Sequence, residues 1–219
     1  MKTSADEVLI VRRPQFESLS LEEVSQSIVT DVPSHRVGCV NWPEEFPYCP
    51  DVTFRIAHTG SAFYVHFAVC GEDLRAVNTE PLSAVAQDSC VEFFMQLPDD
   101  AAYWNFEFNC IGTVNASHRV ERSNPVRLTV DEIATIGRNA SCGTAPFEER
   151  SGIHRWTLTV RIPFDLVGID KSNIPSHIKA NVYKCGSKTS HPHYVSWAPI
   201  DSTHPDFHVK SSFAQMSLE

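Results

Sequence analysis

Two stretches of the chain carry carboxylates and amides in strict alternation with aromatic and aliphatic residues. Across residues 103–110, Trp104, Phe106, Phe108 and Cys110 have one parity while Asn105, Glu107 and Asn109 have the other, and at the two-residue period of a β-strand these are opposite faces. Asp88-Ser-Cys-Val-Glu-Phe-Phe-Met repeats the arrangement, with Val91, Phe93 and Met95 facing one way and Cys90, Glu92, Phe94 and Gln96 the other. If the two strands pair through the connection at 97–102, Glu92 joins Asn105, Glu107 and Asn109 on one sheet face. Such a row offers acceptors and amide donors suited to the hydroxyls of a sugar. The plainer alternative is the solvated face of a half-buried antiparallel sheet.

Glu92 and Glu107 also have the residue types of a glycosidase acid and base, a chemistry that needs two carboxyls at a set separation across a sugar. No Gly-x-Ser-x-Gly elbow, P-loop or dinucleotide fingerprint is present, so acyl hydrolysis, nucleotide chemistry and hydride transfer have no support. Histidines gather at 191, 193, 204 and 208, with Asp206 between the last two. Neither His191-Pro-His193 nor the 204–208 segment has a zinc-site spacing, so no metal ligand is assigned. Asp99-Asp100, or Asp201 with Asp206, are the oxygen donors available to a calcium ion. A flat ring can pack on the apolar C–H face of a pyranose while polar groups fix its hydroxyls. Trp104 and Trp156 are in phase with aliphatic neighbours and belong to a core; Trp42 and Trp197 stand at strand ends; Phe207 lies in a Pro/His/Asp loop.

The elements that must hold these residues are strands. Phe63, Val65, Phe67 and Val69 alternate with Tyr64, His66 and Ala68, and Val52, Phe54 and Ile56 with Thr53, Arg55 and Ala57; the His58-Thr-Gly60-Ser link makes them a hairpin. Trp156, Leu158, Val160 and Ile162 form another run that ends at Pro163. Shorter runs fall at 35–41, 91–96, 103–111, 118–121, 178–185, 193–197 and 213–218. Two short helices are expected: one over 20–28, where Ser20 and Glu23 form a capping box, and one over 130–136. No linker, repeat or charge block marks a boundary, so the expectation is one all-β domain over 1–219, an antiparallel β-sandwich of jelly-roll or immunoglobulin-like type. Residues 1–34 supply an N-terminal strand and a short helix packed on it.

Composition narrows the partners. With 27 acidic against 18 basic residues the formal charge is −9, which repels phosphate backbones and argues against nucleic acid. The longest apolar stretches fall far short of the roughly 20 residues that span a bilayer, so no membrane partner is expected. Seven cysteines with no C-x-x-C pair read as reduced thiols. Together with an N-terminus that lacks the apolar run of a secretory signal, they favour the cytoplasm, or the periplasm or exterior if a leader is removed. A monomer is expected.

The ordered set Asn41-Trp42, Phe63-Tyr-Val-His-Phe, Asp88-Ser-Cys-Val-Glu-Phe-Phe, Asn105-Phe-Glu-Phe-Asn109, Ile162-Pro-Phe164, Ser196-Trp197 and Pro205-Asp-Phe-His208 with Phe213 resembles the family 9 carbohydrate-binding modules, over about residues 35–219. It is most similar to the branch that occurs as free-standing bacterial proteins. The resemblance implies a non-catalytic β-sandwich that holds a saccharide between aromatic rings while carboxylate and amide side chains grip its hydroxyls. It also makes structural calcium an expectation; no other cofactor is implied. Carried over residue by residue, Glu92 is the motif's glutamate, Asn109 the asparagine of the following strand, and Phe207 the ring that replaces the closing loop's tryptophan. Val85 falls where sugar-binding members have their other stacking tryptophan, and Glu107 where they have an arginine. Glu92, Glu107, Asn109, Lys184, Trp197, Phe207 and His208 are therefore the expected wall of a shallow, weakly binding saccharide site. The alternatives are a glycosidase working through Glu92 and Glu107, and a protein-interaction sandwich whose sugar site has decayed.

Overall fold

Among the described residues the chain folds as fourteen strands: β1 (Val8–Arg12), β2 (His35–Arg36), β3 (Cys39–Val40), β4 (Asp51–His58), β5 (Ala62–Ala76), β6 (Cys90–Gln96), β7 (Tyr103–Asn109), β8 (Val114–Arg119), β9 (Val126–Arg127), β10 (Gly137–Ala140), β11 (Phe147–Pro163), β12 (His177–Cys185), β13 (Tyr194–Ser196) and β14 (Ala214–Leu218). The structure, a computed structural model, describes residues 7–219; the first six positions, on which the reading of the N-terminus partly rests, lie outside the described residues. Helix α1 (Leu21–Asp31) opens on the expected capping box, with Ser20 Oγ accepting from the Glu23 N–H and the Glu23 carboxylate accepting from the Ser20 N–H. A second capping box, Thr129 with Glu132, opens the short α2 (Val130–Ala134). The amphipathic α1 lays Val24 and Ile28 against Phe16, Ala57 and Tyr64.

The strands run in the order β10-β11-β5-β4-β1-β14-β12-β6-β7-β8-β9, with β2, β3 and β13 attached beside this path. Strand β1 joins the two halves: Val11 pairs with Ala57 of β4, Val8 with Met216 of β14, and both ladders are parallel. The strictly antiparallel sandwich expected from the alternation is thus corrected to a mixed, β-rich one. Each neighbour of β1 is reached by a long excursion and not by a hairpin, so the chain can return in the same direction. Elsewhere the pairing is antiparallel, including the expected β4–β5 hairpin, whose link places Gly60 at φ +97°, a left-handed conformation that suits glycine.

The core lies between the halves. Phe54, Phe63, Val65, Phe67, Leu158 and Val160 from one side meet Val91, Phe93, Met95, Phe106, Phe108 and Val182 from the other, all fully buried, and the Phe63 ring meets Phe93 edge-on at 6.4 Å. Trp156 is buried as expected, but Trp104 is only half-buried. It sits near the start of β7, where its ring stacks at 4.3 Å on His118, its cross-strand partner on β8.

On the outer side of β5, His66 is buried with Nδ1 2.8 Å from Thr159 Oγ1. Burial first, then the Arg55 guanidinium on the paired strand, hold its pKa down to about 4. The folded state therefore keeps this ring neutral while the unfolded chain takes up a proton below about pH 6.5. Its contribution, of the order of 3 kcal/mol, is present in full above pH 6.5 and is lost as pH falls toward 4. Urea unfolding at pH 7.5 and pH 4.5 should show a smaller acid loss in His66→Gln than in the parent chain. Equal losses would contradict the assignment.

Candidate functional site

The register of β7, β6, β12 and β13 brings the chemistry-bearing residues into two rows on one face. Glu107 lies directly across from Glu92, Glu92 from Tyr183 and Tyr183 from Ser196. In the next row Asn109 faces Cys90, Cys90 faces Cys185 and Cys185 faces Tyr194. The solvated face considered from parity is ruled out: Glu92, Asn105, Glu107 and Asn109 are all buried. A second apolar layer covers them, in which the 200–213 segment folds back and sets Phe207, His208 and Phe213 against Phe94, Tyr103 and Tyr183.

This covering is incomplete. Between the sheet and the closing segment lies an open concavity of about 160 Å³, floored by Glu92, Glu107 and Cys185 and walled by Tyr194, Phe207 and His208, with Arg122 and Asp206 also lining it. Phe207 is anchored by stacking on Tyr183, centroids 4.2 Å apart and planes at 9°, and its carbonyl accepts from the Tyr183 hydroxyl at 3.0 Å. Tyr194 stands edge-on to Phe207, centroids 6.0 Å apart at 71°. Two larger hollows lie elsewhere. One, of about 340 Å³ beside Asp99, Asp100, His177 and Lys179, has no Phe, Tyr or Trp in its lining; the other, of about 320 Å³, has Trp156 alone of these, buried in the core.

Both Glu107 oxygens accept amide N–H groups at 2.9 Å, one from Asn105 and one from Asn115. Ser117 donates to the Asn105 carbonyl at 2.6 Å and accepts from the Arg119 guanidinium, which fixes the Asn105 amide. Burial pushes the Glu107 carboxyl above its ordinary range, against the lowering effect of those amides. Glu92 is pushed well above its range, by burial first and then by the neighbouring Cys185 and Glu107. His208 shares a hydrogen bond with the Tyr103 hydroxyl, Nδ1 to Oη 2.9 Å, and burial holds its pKa down to about 4. At the mouth, Arg122 and Asp206 form an ion pair at 3.3 Å. The floor therefore presents carboxyl groups flanked by rings, and the guanidinium at the mouth is the nearest exposed cation that lines the concavity.

Of the residues singled out by sequence, Glu92, Glu107, Phe207 and His208 come together here. Asn109 shares the face but is enclosed: its amide donates to Asn78 O and Asp88 Oδ2, and its carbonyl accepts from the Thr113 N–H. Lys184 points to the opposite side, since it lies across from Val91; Nζ donates to Cys185 O and meets His193 Nε2, each at 2.6 Å, and burial lowers its pKa to about 8. Trp197 also faces the main core, edge-on to Phe54 at 6.0 Å. Val85, at the position of the family's second stacking ring, is fully buried. Tyr194, Cys185 and Arg122 were missed, and Asp206, read as an oxygen donor for calcium, was not assigned to this wall. Tyr194 and Cys185 were within reach of a parity argument extended across the β12–β13 pair, whereas the two rim residues come from loops with no period.

The histidines do not converge: His191 pairs with Asp73 at 2.6 Å, His193 with Lys184, and His208 with Tyr103. Of the calcium candidates, Asp100 pairs with His118 and accepts from the Ala102 N–H, and Asp206 is held by Arg122 and the His208 N–H. Among the described residues, the group of three potential metal ligands within mutual reach is Cys90, Glu92 and Cys185.

A crystal structure of a candidate carbohydrate-binding protein from Bacteroides uniformis ATCC 8492 is similar over 99% of this chain and 100% of that one, with a TM-score of 0.92 and 32% identity. Two structures of a family 9 carbohydrate-binding module from Caldicellulosiruptor kristjanssonii share the fold at 12% identity. The complex with cellotriose has a TM-score of 0.61 over 98% of this chain and 94% of that one; the complex with glucose has 0.57 over 98% and 96%. No match is found among curated proteins. The profile of carbohydrate-binding family 9 matches residues 24–218, nearly the whole β-rich domain that carries the Glu92–Glu107 floor and its rings, and the chain belongs to that family.

Proposed function

We propose that the chain binds a saccharide without catalysis and that the concavity takes one sugar ring against Phe207 and Tyr194, with Glu92 and Glu107 meeting its hydroxyls. The observation that carries this reading is the joint placement of two carboxyls and two rings set edge-on to each other around one opening. Rings supply the apolar platform and the carboxyls directional partners, the composition expected of a sugar site. Tyr194 stands as the second ring in place of the buried Val85, and Arg122 restores a cation where Glu107 reverses the family's charge. The concavity, at about 160 Å³, is smaller than the roughly 300–1,000 Å³ of drug-sized sites, which favours a single terminal ring over a chain. The complexes of the related modules with glucose and cellotriose support the same ligand class.

A few hydrogen bonds that compete with water, each worth roughly 0.5–1.5 kcal/mol, and ring contacts of similar size give a dissociation constant in the millimolar to high-micromolar range. Isothermal titration with glucose, cellotriose and a panel of other mono- and oligosaccharides tests this. Saturable heat with at least one sugar is expected. No heat with any glycan would overturn the reading in favour of a protein-interaction sandwich. The direct pairing of Glu92 with Glu107, both held above their ordinary range, favours a glycosidase as the second reading. Release of reducing sugar that disappears in Glu107→Gln would establish it.

A further inference from the structure

We propose that Cys90, Cys185 and Glu92 form a zinc-binding site in the floor of the concavity, with one coordination position open to it. Two adjacent strands supply the ligands. Cys90 and Glu92 are two residues apart on one face of β6, and Cys185 on β12 lies directly across from Cys90. Their ligand atoms all lie within 4.8 Å of one another; Cys185 Sγ is 3.1 Å and Cys90 Sγ 3.8 Å from Glu92 Oε1. Tetrahedral zinc, with Zn–S near 2.3 Å and Zn–O near 2.0–2.2 Å, needs ligand-to-ligand edges of about 3.5–3.8 Å. The three atoms reach that triangle by side-chain shifts of the order of 1 Å or less, without movement of either strand.

The donor set selects the metal. Two sulfurs and one carboxylate suit zinc and disfavour calcium and magnesium, which take all-oxygen shells. All three side chains are buried, so the site sits on packed sheet and not on a loop. Glu92 and Cys185 themselves line the concavity, which leaves the fourth position facing it for a water or another oxygen donor.

The opposite side of β12 holds an independent observation. Lys184 is buried, and among the described residues no carboxylate pairs with it; its ammonium rests on the Cys185 carbonyl and His193. A buried cation without a counter-charge is costly. Zinc binds two thiolates and one carboxylate, so any protons these groups hold leave to solvent as two Zn–S bonds and one Zn–O bond form, and the centre carries a net charge of about −1 across β12 from Lys184. The metal centre thus places negative charge on the other side of the strand from a lysine that has no carboxylate partner among the described residues.

The zinc site shares Glu92 with the saccharide reading but is tested apart from it, because zinc is titrated without sugar and its absence would leave the rings and Glu107 in place. The full chain, stripped with chelator, is titrated with zinc against a chromophoric competitor in the presence of excess calcium. One zinc per chain is expected. Cys90→Ser and Cys185→Ser should each weaken binding by more than about 100-fold, since loss of a mere supporting partner already costs 10–100-fold, while Cys70→Ser leaves it unchanged. Should those variants fail to fold, cobalt added to the unaltered chain decides the matter. Thiolate-to-cobalt charge-transfer absorption with tetrahedral ligand-field bands supports the site; a weak octahedral spectrum without charge transfer overturns it. Failure to retain zinc, or equal retention by folded Cys90→Ser and Cys185→Ser, overturns it as well.

Discussion

Phe93→Ala and Phe94→Ala are each expected to destabilise the domain by about 3–5 kcal/mol, the range for truncating a fully buried phenylalanine. The two residues are neighbours on β6 that face opposite ways. Phe93 meets Phe63 edge-on across the main core, whereas Phe94 lies in the outer layer against Tyr103 and Tyr183, centroids 6.2 and 5.0 Å away, and under His208 at 5.0 Å. A sheet with one solvated face would lose stability in Phe93→Ala alone. Denaturant unfolding of both variants separates the cases, and a cost below about 1 kcal/mol for Phe94→Ala would contradict the outer layer.

Phe207→Ala and Tyr194→Ala are expected to weaken saccharide binding at least about tenfold each, or about 1.4 kcal/mol. The two variants should differ in stability. Phe207 stacks on Tyr183 and is nearly buried, so its removal also lowers the unfolding midpoint; Tyr194 is only half-buried and its loss should cost less. Titration of both with the sugar that the parent chain binds best, alongside their thermal unfolding, gives the comparison. Affinities within twofold of the parent would place the ring contacts elsewhere.

Much of this architecture was legible in the residues, for a definite reason. Parity is a local property, so the inward faces of β4, β5, β6, β7 and β11 follow from alternation alone, and both helix starts follow from their capping boxes. Partnership between distant strands is not local, and the parallel ladders of β1 to β4 and β14 left no mark on the sequence. The same limit applied at the site. Glu92 and Glu107 carried a signal in their alternation and Phe207 in its loop setting, but the covering of the carboxylate face by the segment that holds Phe207, about 100 residues further along the chain than Glu107, is not a local property. Lys184 and Trp197 were assigned to the wall on residue type, although the β12–β6 register sets Lys184 beside Val91 and the core cluster claims Trp197. Asn109 has the right parity, yet Asp88 and Thr113 saturate its amide.

The structure thus gives the motif residues distinct tasks. Asp88 accepts from the Val77 and Asn78 N–H groups and from Asn109, which ties the strand start to the preceding loop, while Glu92 four residues on floors the opening. The most direct measurement of the central claim is a crystal structure of the chain soaked with glucose and, separately, with cellotriose. The expected result is one pyranose ring in contact with Phe207 and Tyr194, with hydroxyl oxygens within hydrogen-bonding distance of Glu92 and Glu107. A sugar seated instead in the roughly 320 Å³ hollow beside Asp51 and Trp156, or an empty concavity at sugar concentrations that saturate the titration, would contradict it.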